Sequence, residues 1–166
     1  MNKLQEKYAD EIQNHLAKYP PDQKRSAVMP LLYIAQREGG HASKHDIEDI
    51  AEICGITTSE VVSIIGFYTL YHDEPAGKLR IQVCADLPCA LRGADKFLAE
   101  LSQALGIQPG ETTPDGLVTL EAVMCLAACD KAPMFQTQSE AGLAYHEHMT
   151  VAKTLDLIDG WKKEAE

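Results

Sequence analysis

Four of the five cysteines in this 166-residue chain stand in two close pairs. Cys84 and Cys89 form C-x4-C, 35 residues follow, and Cys125 and Cys129 form C-x3-C. Thiolates are soft ligands, and four around one point suit a [2Fe–2S] cluster, a [4Fe–4S] cluster or a zinc ion. Structural zinc more often uses C-x2-C knuckles. The familiar [4Fe–4S] run has two-residue gaps and a neighbouring proline. A Rieske centre needs two histidines as ligands, and neither pair encloses one. The spacing leans towards [2Fe–2S]. The competing reading, four unrelated buried thiols, asks four cysteines to pair by accident. Cys54 is the reverse case: beside Ile50 and Ile53 it lies on an apolar helical face and reads as core.

Elements must bring the pairs together. Lys78–Cys84 alternates polar and apolar residues, which predicts a half-buried strand ending at the first cysteine. A helix is expected from about Cys89 to Leu105, with Phe97, Leu98 and Leu101 facing inward and Gly106 as its stop. Residues 116–123 contain a second strand that ends just before Cys125. If the two strands are neighbours in one sheet, both cysteine loops emerge at one edge. Pro133–Thr137 and Gly142–Tyr145 predict a short hairpin, and a helix over roughly Thr150–Lys163 closes the chain. The order β-α-β-β-β-α predicts a small sheet with helices packed on it, an α+β arrangement.

Residues 1–75 read as a helical domain and 76–166 as the cysteine-bearing domain, with Asp73–Gly77 as the turn between them. Leu4, Tyr8, Ile12 and Leu16 form one helical stripe that ends near Tyr19-Pro20. Val28, Leu31, Leu32 and Ala35 form another, with Pro30 marking either its start or a kink. Ser43/Asp46 and Thr57/Glu60 have the spacing of capping boxes, each cap worth about 1 kcal/mol, and Gly55 is a stop between the two helices.

Charge narrows the function classes. The formal net charge is -10, and hydrophobic residues make up 45% of the chain. Residues 1–77 carry 7 Lys/Arg against 12 Asp/Glu, so no basic face is concentrated there for nucleic acid. The segment Ile50–Val61 has a helix-turn-helix look, which raises a redox-sensing regulator as an alternative. No Lys or Arg occurs between Lys44 and Lys78, however, so a recognition helix there would be a poor DNA reader. A thioredoxin-type disulfide exchanger is disfavoured by the missing C-x-x-C. The charged start MNKLQEKYADEIQNHL lacks a secretory h-region, and no apolar run has the length of a membrane span. A cytoplasmic protein is expected, peripheral to a membrane only through partners. His15, His41, His45, His72, His146 and His148 are scattered, and no catalytic constellation appears.

The residues together carry a resemblance. Gly66–Tyr71 reads GFYTLY, Cys89–Ala94 reads CALRGA, Gly110–Gly116 reads GETTPDG, and Cys125–Pro133 reads CLAACDKAP. With Lys18–Pro21 and Gln23–Ala27, these resemble the E-type, thioredoxin-like ferredoxin subunit of bacterial NADH:quinone oxidoreductase (respiratory complex I). The family often has Gly where this chain has Ala127. The resemblance implies a helical N-terminal docking region, then a thioredoxin-like α/β domain holding one [2Fe–2S] cluster on Cys84, Cys89, Cys125 and Cys129. It implies electron transfer next to the FMN of an NADH-oxidising flavoprotein subunit, with a larger iron–sulfur subunit in the same complex on the cytoplasmic side of the inner membrane. FMN and NADH would belong to the partner, and this chain alone would hold no complete active site. Related subunits of NAD-linked formate dehydrogenases and NAD-reducing hydrogenases share the motif. The cluster is expected to be a low-potential, one-electron centre. Arg92 and Lys131 are the cations nearest the ligand loops, and backbone N–H groups at the start of the Cys89 helix are expected to face the sulfurs.

Overall fold

Capping chemistry sets the helix boundaries of the first half. In the computed structural model, which describes residues 3–37 and 39–164, the Ser43 and Asp46 side chains each bond the other's backbone N–H and open a helix over Lys44–Cys54. Thr57 and Glu60 do the same for a helix over Thr58–Phe67. Gly55 ends the first of these in the left-handed region, at φ 68°. Here a residue with a Cβ would be strained. Two helices precede them. We label the four α1 (Lys3–Leu16), α2 (Val28–Gln36), α3 (Lys44–Cys54) and α4 (Thr58–Phe67). Pro30 lies in the first turn of α2, where its missing N–H costs no intrahelical bond. A 3₁₀ turn over Lys24–Ala27 leads into α2. Helix α1 is kinked at Tyr8, whose φ/ψ of -126°/32° is not helical.

The chain divides into two compact units, Met1–Pro75 and Ala76–Glu166. The first has its own core of Ile12, Leu31, Leu32, Ile34, Ile50 and Val61, all essentially without exposure. Cys54 belongs to it, and burial pushes its thiol up to about 11. It is therefore a neutral packing residue.

The second unit is built on a four-stranded sheet in the order β2-β1-β3-β4, with β1 Leu79–Cys84, β2 Val118–Val123, β3 Phe135–Ser139 and β4 Gly142–His146. Strands β1 and β2 run parallel, with Leu79 opposite Val118 and Cys84 opposite Val123. β3 is antiparallel to both β1 and β4. The helices are α5 (Leu87–Ala90), α6 (Ala94–Leu105) and α7 (Val151–Glu164). Ile81, Val83, Leu120 and Phe135 join Phe97 and Leu101 of α6 and Ile158 of α7 in one core. Phe97 and Phe135 stack with ring centroids 6.4 Å apart. Asp115 accepts from the Thr113 hydroxyl, the Leu117 N–H and Lys162, which lowers its carboxyl to about 2 and ties the loop before β2 to α7.

Two expectations from the sequence need correction here. The helix after Cys89 is not continuous: α5 ends at Ala90, and α6 begins after Gly93, whose φ of 92° breaks the helix. Nor does β1 have a solvated face, because Arg80 and Gln82 are buried with the apolar residues between them. Arg80 Nη1 donates to Glu121 Oε1 at 2.6 Å and Gln82 Nε2 to Glu121 Oε2 at 2.9 Å. Gln136 Nε2 donates to Gln82 Oε1 at 2.5 Å. A buried polar group without a partner would cost roughly 1–3 kcal/mol, so this ladder across β2, β1 and β3 is what lets polar residues occupy a central strand.

Candidate metal centre

The parallel register places the two cysteine loops side by side. β1 ends at Cys84, and the ladder continues one step as Ala85 N–H donates to the Val123 carbonyl at 2.9 Å. Cys125 follows two residues after Val123. Past β1, the Asp86 carboxylate accepts from the Leu87 N–H at 2.9 Å and starts the one-turn helix α5. With Pro88 in its first turn, α5 turns Cys89 inward. The Cys89 thiol donates to Cys84 Sγ at 3.1 Å, and both residues are buried. Ala94, Ala132 and Met134 complete the apolar surround, with Leu126, Ala128 and half-buried Cys129 packed against it.

The four cysteines differ in their surroundings. Burial, and then the neighbouring sulfurs of Cys84 and Cys129, push the Cys89 thiol up to about 12. Cys129 opens a 3₁₀ turn over Cys129–Lys131. Cys125 is exposed, and its sulfur accepts the Ala127 N–H at 3.4 Å. Cys84, Cys89 and Cys129 thus gather at one place, and Cys125, in the same loop as Cys129, is exposed. Among the described residues, no three His, Cys, Asp or Glu side chains are placed to hold a single metal ion. A two-iron cluster makes a different demand, because each iron takes only two thiolates. Paired thiols suit that requirement, and Cys84 with Cys89 forms such a pair. A thiol raised this far stays protonated in an apolar pocket, and a bound metal cation reverses that preference. The donor set fits a thiolate-bound cluster.

The N–H groups expected to face the sulfurs are used otherwise. The Leu87 N–H goes to the Asp86 side chain and the Cys89 N–H to the Asp86 carbonyl. A backbone N–H that does reach a sulfur is that of Ala127, which the sequence did not suggest. Ala127 is held at φ 56°, in the left-handed region. Arg92, in the short link between α5 and α6, donates from Nη2 to the Asp130 carbonyl at 3.1 Å and so joins the two cysteine loops. Lys131 faces carboxylates, with Glu147 at 3.8 Å and Asp130 at 4.0 Å. Tyr145 on β4 donates its hydroxyl to the Leu126 carbonyl at 3.1 Å. Leu87, Leu91 and Met124 leave an apolar rim beside the cysteines, with Leu91 81% and Met124 72% exposed.

A mixed sheet flanked by helices, with paired cysteines in the loops beyond two parallel strands, is the architecture of a thioredoxin-like iron–sulfur protein. The chain belongs to the thioredoxin-like [2Fe-2S] ferredoxin family, whose model matches residues 12–162, and its cofactor is one [2Fe–2S] cluster. It is 42% identical over 151 residues to NADH-quinone oxidoreductase subunit 2 of Thermus thermophilus, a match covering 91% of this chain and 82% of the relative. It is 40% identical over 153 residues to an E-type NADH-quinone oxidoreductase subunit of Rhizobium meliloti, covering 92% and 88%. Among solved structures, an air-oxidised NAD+-reducing [NiFe]-hydrogenase matches with a TM-score of 0.68 at 16% identity. That match covers 84% of this chain but 23% of the hydrogenase chain, and it is a likeness of fold. No single helix among the described residues is long and apolar enough to cross a membrane.

Proposed function

We propose that this chain is the electron-transferring E-type subunit of an NADH:quinone oxidoreductase, with its [2Fe–2S] cluster held by Cys84, Cys89, Cys125 and Cys129. The carrying observation is the buried Cys84–Cys89 pair at 3.1 Å with Cys129 packed beside it, at the end of two parallel strands. The cluster supplies one-electron chemistry when bound. The protein's part is to fix the thiolates, exclude water from Cys84 and Cys89, and leave the Cys125 side open towards a partner. Identity of about 40% over nine-tenths of the chain to two subunits of this complex supports the assignment. The apolar rim of Leu87, Leu91 and Met124 supports docking of another subunit at that side. By the family resemblance, that subunit is an FMN-binding, NADH-oxidising flavoprotein, and a larger iron–sulfur subunit completes the module. The module would sit on the cytoplasmic face of the membrane. Residues 1–75 serve as the docking domain and 76–166 as the ferredoxin domain.

An NAD-reducing hydrogenase subunit is the second reading, suggested by the shared fold. The far higher identity to quinone oxidoreductase subunits favours the first.

The test is anaerobic purification, iron and acid-labile sulfide assay, and EPR after dithionite reduction. Two irons and two sulfides per chain, with a spin-half signal lost in Cys→Ser variants at each of the four positions, are expected from a [2Fe–2S] centre. Stoichiometric zinc without iron, even after anaerobic reconstitution, would overturn the reading.

A further inference from the structure

β4 is the last strand of its sheet, and every residue from Gly142 to Tyr145 is exposed. An edge strand presents one row of backbone N–H and C=O groups to whatever lies alongside. Proteins commonly guard such an edge with a charge, a proline or a bulge. Gly142-Leu143-Ala144-Tyr145-His146 contains no carboxylate, lysine or arginine and no proline, and it pairs with β3 residue for residue without a bulge. Its large side chains are apolar, with Leu143 54% and Tyr145 56% exposed. The strand also borders a cavity of about 370 Å³, lined by Leu79, Leu117, Leu143, Ala144, His146 and Trp161 among others. An unguarded edge beside an apolar recess has the features that strand-adding segments use: main-chain bonds for affinity and a pocket for a side chain.

The charges at its ends select the occupant. Glu140 precedes β4, and Glu147, which follows it, already faces Lys131 at 3.8 Å. A second copy adding antiparallel to β4 would bring Glu140 of each chain beside Glu147 of the other, and both chains carry a net charge of -10. Like charges brought together in this way disfavour self-pairing. An extended segment with an apolar middle and Lys or Arg at the end beside Glu140 meets that acid favourably. We infer that β4 is a strand-addition site for such a basic-ended, apolar extended segment of a partner subunit, one apolar side chain of which enters the cavity beside Trp161. The inference rests on the chain being a subunit of a larger oxidoreductase. It concerns the free edge of the sheet and not the rim of Leu87, Leu91 and Met124, although Tyr145 of β4 bonds Leu126 in the second cysteine loop.

The test is amide hydrogen exchange on the cluster-loaded chain alone and in the parent complex, purified through a tag on this chain. Amides of residues 142–146 are expected to exchange about tenfold or more slowly in the complex. Leu143→Lys, which places a charge in mid-strand, and Glu140→Lys are both expected to weaken retention of the complex at raised salt while leaving iron content unchanged. A complex that assembles while 142–146 exchange as in the isolated chain would overturn the inference and leave the subunit reading intact. Concentration-dependent protection in the isolated chain, with a dimer mass, would replace the partner segment with a second copy. A chain that loads its cluster and co-purifies with no other protein of the complex would remove the reading on which the inference rests, and the inference with it.

Discussion

Arg92 Nη2 lies 3.1 Å from the carbonyl oxygen of Asp130, so one side chain beyond Cys89 holds the residue directly after Cys129. The contact is exposed, yet it spans 38 positions of sequence and joins both cysteine loops. Arg92→Ala removes this clasp and a cation near an anionic cluster. The expected outcome is a lower midpoint potential in an EPR-monitored redox titration, with about 1 kcal/mol or less of lost stability. An unchanged or raised potential would count against the role.

Ala127 occupies the left-handed region at φ 56° while its N–H reaches Cys125 Sγ. That conformation costs an L-residue roughly 1–2 kcal/mol, and glycine does not bear the cost. Ala127→Gly should therefore stabilise the protein by about 1 kcal/mol, raising Tm by about 2–4 °C with the cluster signal retained. A fall in Tm would show that the methyl group contributes contacts worth more than the strain.

Half-buried Glu121 accepts from both Arg80 and Gln82. Arg80 is buried, so loss of its carboxylate partner leaves that charge less well compensated, and Glu121→Ala should cost about 3 kcal/mol in urea unfolding. A replacement of both Arg80 and Glu121 by apolar residues should cost much less than that single change. Equal losses would argue that the pair stabilises in its own right.

His146 stacks on Phe135 at 4.7 Å, meets the edge of Trp161 at 5.8 Å and bonds the Thr137 hydroxyl at 3.1 Å. Burial lowers its pKa below the ordinary imidazole value. The unfolded chain then binds the proton more readily than the folded one. The stabilising contribution is full above about pH 6.5 and is lost as pH falls from there through the lower folded value. In His146→Gln that part of the acid dependence should vanish from the urea midpoint measured between neutral and mildly acidic pH. An unaltered pH profile would assign the acid loss to other groups.

Removing iron should loosen the second unit. The four cysteines stand in two loops at the sheet end, Cys84 and Cys89 in one and Cys125 and Cys129 in the other. A bound cluster would tie both loops to the sheet end. Chelation is expected to lower the unfolding midpoint and to speed amide exchange over 85–93 and 124–132, with little change in 28–67. Uniform loss of protection across the chain would contradict this.

Much of this structure was legible in the residues. The two capping boxes, the strands that end before each cysteine pair and the hairpin follow from side-chain chemistry and period, which are local signals; the parallel pairing of β1 with β2 was only a condition the cysteines required. Three features were not legible for physical reasons. Arg80 and Gln82 alternate with apolar neighbours, a pattern shared by a solvated face and by a buried polar ladder. Only the partners Glu121 and Gln136, 39 and 54 residues from Gln82, distinguish the two. The break at Gly93 lay inside a strong helical stripe, and Leu91-Arg92-Gly93 was its one clue. The Tyr145 hydrogen bond to Leu126 depends on how the hairpin folds back, which no spacing encodes.

The parallel pairing of β1 with β2 has a consequence for how such a chain can change over generations. The distance between the loops is set by one register, Cys84 opposite Val123, and not by the segment that connects the pairs. Insertions or deletions at exposed Gln108–Pro109, between α6 and the stretch that bonds to β2, can therefore accumulate without moving a cysteine. A single residue added inside either strand would turn its side chains to the opposite face and displace its cysteine from the pair. Length variation among descendants of this sequence should concentrate in that connection and be absent from the strands.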